Sequence, residues 1–375
     1  QAVSMETLSV STNSFSLDLY KKLNETSKGQ NIFFSPWNIA TALAMVYLGA
    51  KGDTATQMTE DPEHKQAENI HSGFKELLSV INKPRSTYLL KSANRLYEEK
   101  TYPLLPKFLQ LATSYYNAKP QAVNFKTAAE QARALINSWV ENETERKIQD
   151  LLPAGSVNSH TVLVLVNAIY FKGNWEKKFL QKNTSEMLFR MSKVNSLSIC
   201  LLSYVNIWAL FYVFLMSVKT LVCACLVSVL HIPTIFFLNS WQVERELTYE
   251  KLVEWTKSDN MMKAEVDLYL PKLKLEENYD LKSTLSSMGI QNAFDPVQAD
   301  FTGMSVKKDL FISKVIHTAF VEVNEEGTEA AAATGVLVLR SKTPTMTFKA
   351  DHPFLFFIRH NKSQTTLFFG RLCSP

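Results

Sequence analysis

The chain reads as an α+β protein, helix-rich first and strand-rich later, built around large sheets. Three observations carry that reading. Trp37 to Gly49 is almost wholly apolar at helical length; Thr161 to Phe171 (TVLVLVNAIYF) is an unbroken β-branched and aromatic run; and from Leu310 onward short strand-like segments dominate. No segment recurs at a fixed period, so the chain is not a repeat array.

The elements follow in order. Ser11 to Leu23 sets Phe15, Leu17, Leu19 and Tyr20 among polar residues, an amphipathic opening helix. Asn31 to Ser35 is a short apolar strand stopped by Pro36, and the apolar helix after it is buried. Met58 to Ile70 is polar and reads as a loop, with helical spacing resuming from Ile70 to Leu78. Tyr88 to Tyr97 is strand-like, and Ala128 to Leu151 reads as a helix turning toward Pro153. Thr161 to Phe171 signals a central strand covered on both faces. Ala264 to Leu275 alternates as one strand, flanked by helices at Leu247–Trp255 and Leu281–Met288. Leu310–Ile312, Ala319–Val323, Thr345–Phe348, Pro353–Ile358 and Thr366–Phe369 are the late strands.

Composition excludes several function classes. A net charge of +4 over 375 residues, with no dense basic stripe, argues against nucleic-acid binding. No HExxH, GxxxxGK[ST], GxSxG or GxGxxG occurs, so no enzyme signature is present and no cofactor is expected. Cys223-Ala224-Cys225 lacks the spacing of a zinc or redox pair, and no metal is expected. Of the cysteines, only Cys373 lies outside the segment from 194 to 242, so no disulfide framework staples the rest. With a polar N-terminus and no apolar signal region, a cytoplasmic protein is expected, with nuclear or released forms as alternatives. The N-x-S/T patterns at Asn24, Asn142, Asn183 and Asn361 then read as unglycosylated.

One stretch points to function. Gly327, Thr328, Glu329, Ala330, Ala331, Ala332, Ala333, Thr334 and Gly335 follow a strand and precede Val336-Leu337-Val338-Leu339, then Arg340 and Ser341. An alanine run alone fits a surface helix. The bracketing glycines and the β-branched Thr334, Val336 and Val338 favour extended backbone instead. The segment resembles the hinge and reactive-centre loop of inhibitory serpins. Phe348 to Ile358 resembles that family's C-terminal signature, and Asn167 to Trp175 and Asn31 to Gly52 match two further family blocks. Together these cover most of 1–193 and 243–375, and the branch is similar to the ovalbumin-like one.

The resemblance implies a serpin fold over 1–375, with helices packed around three β-sheets and an exposed loop as protease bait. It implies a serine protease as partner, held in a covalent complex, and a monomeric inhibitor; an arginine at the cleaved bond suits a trypsin-like partner. Counting forward from Gly327 places the cleaved bond after Ser341; counting back from His352-Pro353 places it after Arg340. Arg340–Ser341 is preferred, the loop then lacking one residue on its variable side. Thr328, Ala330, Ala332, Thr334, Val336 and Val338 share one parity and are small or β-branched, as an inserting strand requires. Ser35, Asn38, Asn167 and His317 resemble the family's shutter, a polar cluster beneath the sheet's opening, with Asn38 where Ser is usual. Trp175, Lys272 and Glu325 resemble its breach, a latch at the top of the sheet, with Lys272 and Glu325 an ion pair.

Residues 194–242 depart from the family pattern. No charge occurs between Lys193 and Lys219, nor between Lys219 and Glu244. The first run exceeds the ~20 residues that span a bilayer, so 194–218 is a membrane segment on one reading. A buried structural segment is the second reading. A retained intron is the preferred third, with Val194-Asn195 from a splice donor, Phe236-Phe237-Leu238 from a pyrimidine tract and Gln242 from the acceptor. On that reading the segment replaces expected sheet strands. After Met58 the family's expected helix end is also missing.

Overall fold

Ser4 opens the first helix by accepting the backbone N–H of Thr7, which satisfies one of the donors that a helix start leaves bare. In the computed structural model, residues 3–59, 67–84, 88–173, 179–192, 194–216, 219–225, 233–238, 241–257, 259, 262–325 and 346–375 are described. The helices are α1 (Met5–Thr26), α2 (Pro36–Tyr47), α3 (Gly52–Met58), α4 (Ala67–Ile81), α5 (Pro106–Tyr116), α6 (Phe125–Glu143), α7 (Trp241–Glu246), α8 (Tyr249–Thr256) and α9 (Lys282–Ser287). The early strands are β1 (Ile32–Phe34), β2 (Tyr88–Glu99), β3 (Gln121–Val123), β4 (Leu163–Gly173) and β5 (Ser185–Arg190). Next come β6 (Ser196–Met216), β7 (Lys219–Cys225), β8 (Pro233–Leu238), β9 (Met262–Pro271) and β10 (Leu273–Asp280). The last are β11 (Lys314–Val323), β12 (Met346–Lys349), β13 (Phe354–His360) and β14 (Thr365–Leu372).

Among the described residues the strands form two hydrogen-bonded networks. A five-stranded sheet runs β10-β11-β4-β2-β3, and a nine-stranded one runs β1-β14-β13-β8-β7-β6-β9-β12 with β5 on β6. The nine-stranded network has two ends, β1-β14-β13-β8 and β5-β6-β9-β12, bridged by β7. Counted with the five-stranded sheet, these are the three sheets of the fold.

The unbroken run in β4 has the cause expected of it. Leu163, Leu165, Ile169 and Phe171 face one core cluster, while Val164, Val166, Ala168 and Tyr170 face a second. Helices α1 and α2 contribute to the first cluster; α6 and the chain after it cover the second. Strands β4 and β11 pair in parallel, with His317 opposite Asn167, and β10 pairs antiparallel on the far side of β11.

Several expected boundaries move for identifiable reasons. The helix read over 128–151 is α6, ending at Glu143, because Glu145, Arg146 and Asp150 take left-handed φ values of 52°, 60° and 49°. The single strand read over 264–275 is two strands in different sheets, parted at Lys272 directly after Pro271. Leu310–Ile312 is coil with Leu310 and Ile312 buried, so its apolarity reflects packing rather than a strand. Within 194–242, the backbone of β6, β7 and β8 is laid into the nine-stranded sheet, β6 pairing with β9 from Leu201↔Pro271 to Phe211↔Met262. Among the described residues no helix is long and apolar enough to cross a membrane.

Candidate functional site

Ser35 and Asn38 of α2 and its cap, Asn167 of β4 and His317 of β11 meet at the β4/β11 junction. Ser35 caps α2, with Pro36 behind it fixing the first helical residue. Its Oγ accepts the Asn38 N–H at 3.2 Å and donates to the Leu367 carbonyl on β14 at 2.6 Å. Its own N–H donates to His317 Nε2 at 3.0 Å. Because Nε2 accepts, the neutral imidazole carries its proton on Nδ1, which donates to Asn167 Oδ1. The Asn167 amide donates to the Asn38 carbonyl at 2.9 Å and to Asn94 Oδ1.

Asn38 fits its site. Its Oδ1 accepts from Ser92 Oγ at 2.6 Å and Asn94 Nδ2 at 2.8 Å, and its Nδ2 donates to the Ala168 carbonyl at 3.3 Å. The larger amide therefore ties α2 to both β2 and β4. Ser35, Asn38, Asn167 and His317 are all buried, and their polar atoms pair with one another or with neighbouring groups, as burial demands. Burial pushes the His317 imidazole down to about 3, against the bond to Asn167, so the cluster carries no charge at neutral pH. Tyr279 on β10 stacks on the His317 ring at 6.5 Å between centroids, and its hydroxyl accepts the Phe33 N–H at 3.1 Å.

Near the far end of β11, Lys272 Nζ lies 3.0 Å from Glu325 Oε2, and Thr184 Oγ1 donates to Glu325 Oε1 at 3.0 Å. Burial raises the Glu325 carboxyl; its backbone hydrogen bond, Lys272 and Thr184 outweigh that and hold it below its ordinary value. Trp175 lies outside the described residues, as do Gly327, Thr328, Glu329, Ala330, Ala331, Ala332, Ala333, Arg340 and Ser341.

Sequence reasoning missed Ser92, Asn94, Tyr279 and Thr184. Asn94 stands opposite Asn167 in the β2/β4 register, which the sequence does not announce.

A family model described as serpin (serine protease inhibitor) matches residues 10–375. The chain belongs to the serpin family. This serpin is 48% identical over 397 aligned residues to Serpin B10 of Homo sapiens, covering 99% of this chain and 100% of that one. It is 46% identical over 388 residues to leukocyte elastase inhibitor of Sus scrofa, with the same coverage. Among solved structures, uncleaved ovalbumin superposes with a TM-score of 0.88 at 37% identity over 100% of both chains. Human thyroxine-binding globulin does so with 0.89 at 27%, again over 100% of both. These likenesses place the serpin in the ovalbumin-like branch.

Proposed function

We propose that this serpin inhibits a trypsin-like serine protease as a suicide substrate, through cleavage at Arg340–Ser341. The protease serine Oγ attacks the Arg340 carbonyl, the bond to the Ser341 nitrogen breaks, and that nitrogen leaves with the proton. The inhibitor stays joined to the enzyme through an acyl ester on Arg340. The freed loop then adds to the five-stranded sheet, deforming the trapped enzyme before water can release it. An arginine at the cleaved bond suits an acidic specificity pocket. The acting form is a monomer, in the cytoplasm, with no cofactor, and the chain itself is not an enzyme.

The observation that carries the reading is the parallel β4/β11 pair above a buried polar cluster. The loop continues directly from β11, so a segment folding back beside that strand runs antiparallel to it. On one side of β11, β10 already occupies the place; on the other lies the β4 junction. Insertion there exchanges one parallel ladder for two antiparallel ones, the pairing with slightly more stability per residue. Each added hydrogen bond contributes about 1 kcal/mol net, and a dozen or so make the step irreversible. Incubation with trypsin tests the proposal. A complex that survives SDS is expected; loop cleavage without one overturns it in favour of a non-inhibitory storage or binding protein, or a defective gene product.

We infer also that residues 194–242 derive from a retained intron, since no Asp, Glu or Arg and only Lys219 interrupts them. Full-length transcripts that carry the segment in frame, together with its peptides in a digest of the native protein, would contradict this.

A further inference from the structure

Backbone bonds gather several stretches of chain at one end of the five-stranded sheet. Just past β2, the Lys100 N–H donates to the Val123 carbonyl at the end of β3. The Leu105 N–H donates to the Met304 carbonyl, the Lys51 N–H to the Asp300 carbonyl and the Gly303 N–H to the Gly49 carbonyl. Lys51, Lys100, Lys107, Lys126, Lys307 and Lys308 sit on these stretches, and all are exposed. Among the described residues none of them pairs with a carboxylate. Of the aspartates nearby, Asp309 accepts the Tyr102 hydroxyl at 2.9 Å, Asp300 accepts the Thr302 hydroxyl at 2.6 Å, and Asp53 lies in the first turn of α3. Glu99 is buried, its oxygens accepting the backbone N–H groups of Thr101 and Lys126. The loop from Met304 to Leu310 adds an apolar tip. Both of those anchors are fully buried, and Ser305 Oγ donates to the Pro103 carbonyl at 2.9 Å while accepting the Lys307 N–H at 3.3 Å. That turn leaves Val306 71% exposed beside Lys307 and Lys308.

We propose that this lysine pole docks on an anionic lipid bilayer, its ammonium groups meeting the headgroup anions while Val306 enters the headgroup layer. Lysines alone suit any polyanion. A sulfated or phosphorylated polymer, however, offers nothing to an exposed valine, whereas a bilayer takes that side chain out of water as the flanking lysines reach their counter-charges. The opposite end of the sheet holds Glu325. Glu98 pairs with Leu163 of β4 at the lysine end and Tyr88 with Gly173 at the other, and β11 runs parallel to β4 toward Glu325. The 11 residues of β4 set the two ends about 35 Å apart. A chain docked by its lysines therefore turns the Lys272–Glu325 end toward solution. Docking does not depend on the inhibition proposed above.

Vesicle sedimentation with the full chain is the test. Phosphatidylcholine vesicles holding about 30% phosphatidylserine should carry the chain down at about 0.05 M sodium chloride and release it at about 0.5 M. Pure phosphatidylcholine vesicles should not bind it. Lys307→Gln together with Lys308→Gln should lower the partition coefficient roughly tenfold to thirtyfold, the effect of two lysines near an anionic surface. Val306→Ser should lower it about threefold. Lys21→Gln with Lys28→Gln is the control: it makes the same change in net charge at exposed lysines of α1 and the turn after it. Its binding should stay within about twofold of the parent's. Thermal midpoints equal to the parent's separate lost docking from lost folding. No binding to the anionic vesicles overturns the proposal, in favour of a soluble polyanion if dextran sulfate still retains the chain. Equal losses in the two double variants overturn it as well, since net charge and not this pole would then govern binding.

Discussion

At the middle of the β4/β11 seam Ser35, Asn38, Asn167 and His317 are buried and uncharged, whereas near its end Lys272 and Glu325 meet as an ion pair with the lysine side chain 47% exposed. The first site is a closed set of short-range bonds in which each partner leaves a buried group bare when removed. The second is a charge contact partly screened by water. Substitution and acid should therefore act on the middle of the seam, and salt on its end.

The largest effect is expected from His317→Phe, which strands the Ser35 N–H and the Asn167 side-chain Oδ1. Two bare buried groups cost about 2–6 kcal/mol together, read as a lowered midpoint in urea unfolding. Asn38→Ser comes next, since a shorter hydroxyl cannot reach β2 and β4 together. A loss of about 1–3 kcal/mol is expected in the same assay, with Ser92 and Asn94 left to find water. If that variant unfolds at the parental midpoint, Asn38 does not tie the two strands.

Acid gives a third way to break the comparison. Burial lowers His317 to about 3 and His71 to about 4, from an ordinary 6.5. A depressed imidazole keeps its full contribution above pH 6.5 and loses it as pH falls toward the folded value, because only the unfolded chain takes up the proton. Glu98 runs the other way: burial pushes its carboxyl up to about 7, so its contribution fades as pH rises from about 4.5 to 7. Comparing His317→Phe with the parent isolates the imidazole. The parent should lose stability more steeply between pH 6.5 and 4.5, and parallel curves would contradict the buried neutral role. The smallest effect is Lys272→Met, under about 1 kcal/mol and shrinking further in high salt, as a half-exposed pair requires.

Much of this contrast was legible in the sequence, by two different routes. The unbroken 161–171 run announced a strand between two cores, and β4 has one core cluster on each face. The polar cluster was not legible from residues alone: a histidine in an apolar strand says nothing of an asparagine 150 residues away. Only the resemblance joined them. Asn94 and Ser92 escaped even that, since their roles depend on strand register. The helix overextended to Leu151 failed because periodicity cannot report left-handed turns at Glu145 and Arg146. The strand across 264–275 failed because alternation continues through Lys272 while the chain changes sheets.

The central claim is that the closed seam is a trap still able to take a strand. Thermal unfolding before and after cleavage within residues 326–345 tests it most directly. A dozen new hydrogen bonds at about 1 kcal/mol each should raise the midpoint by more than about 10 °C. An unchanged or lowered midpoint after cleavage would show that the loop does not enter between β4 and β11, and would contradict the account.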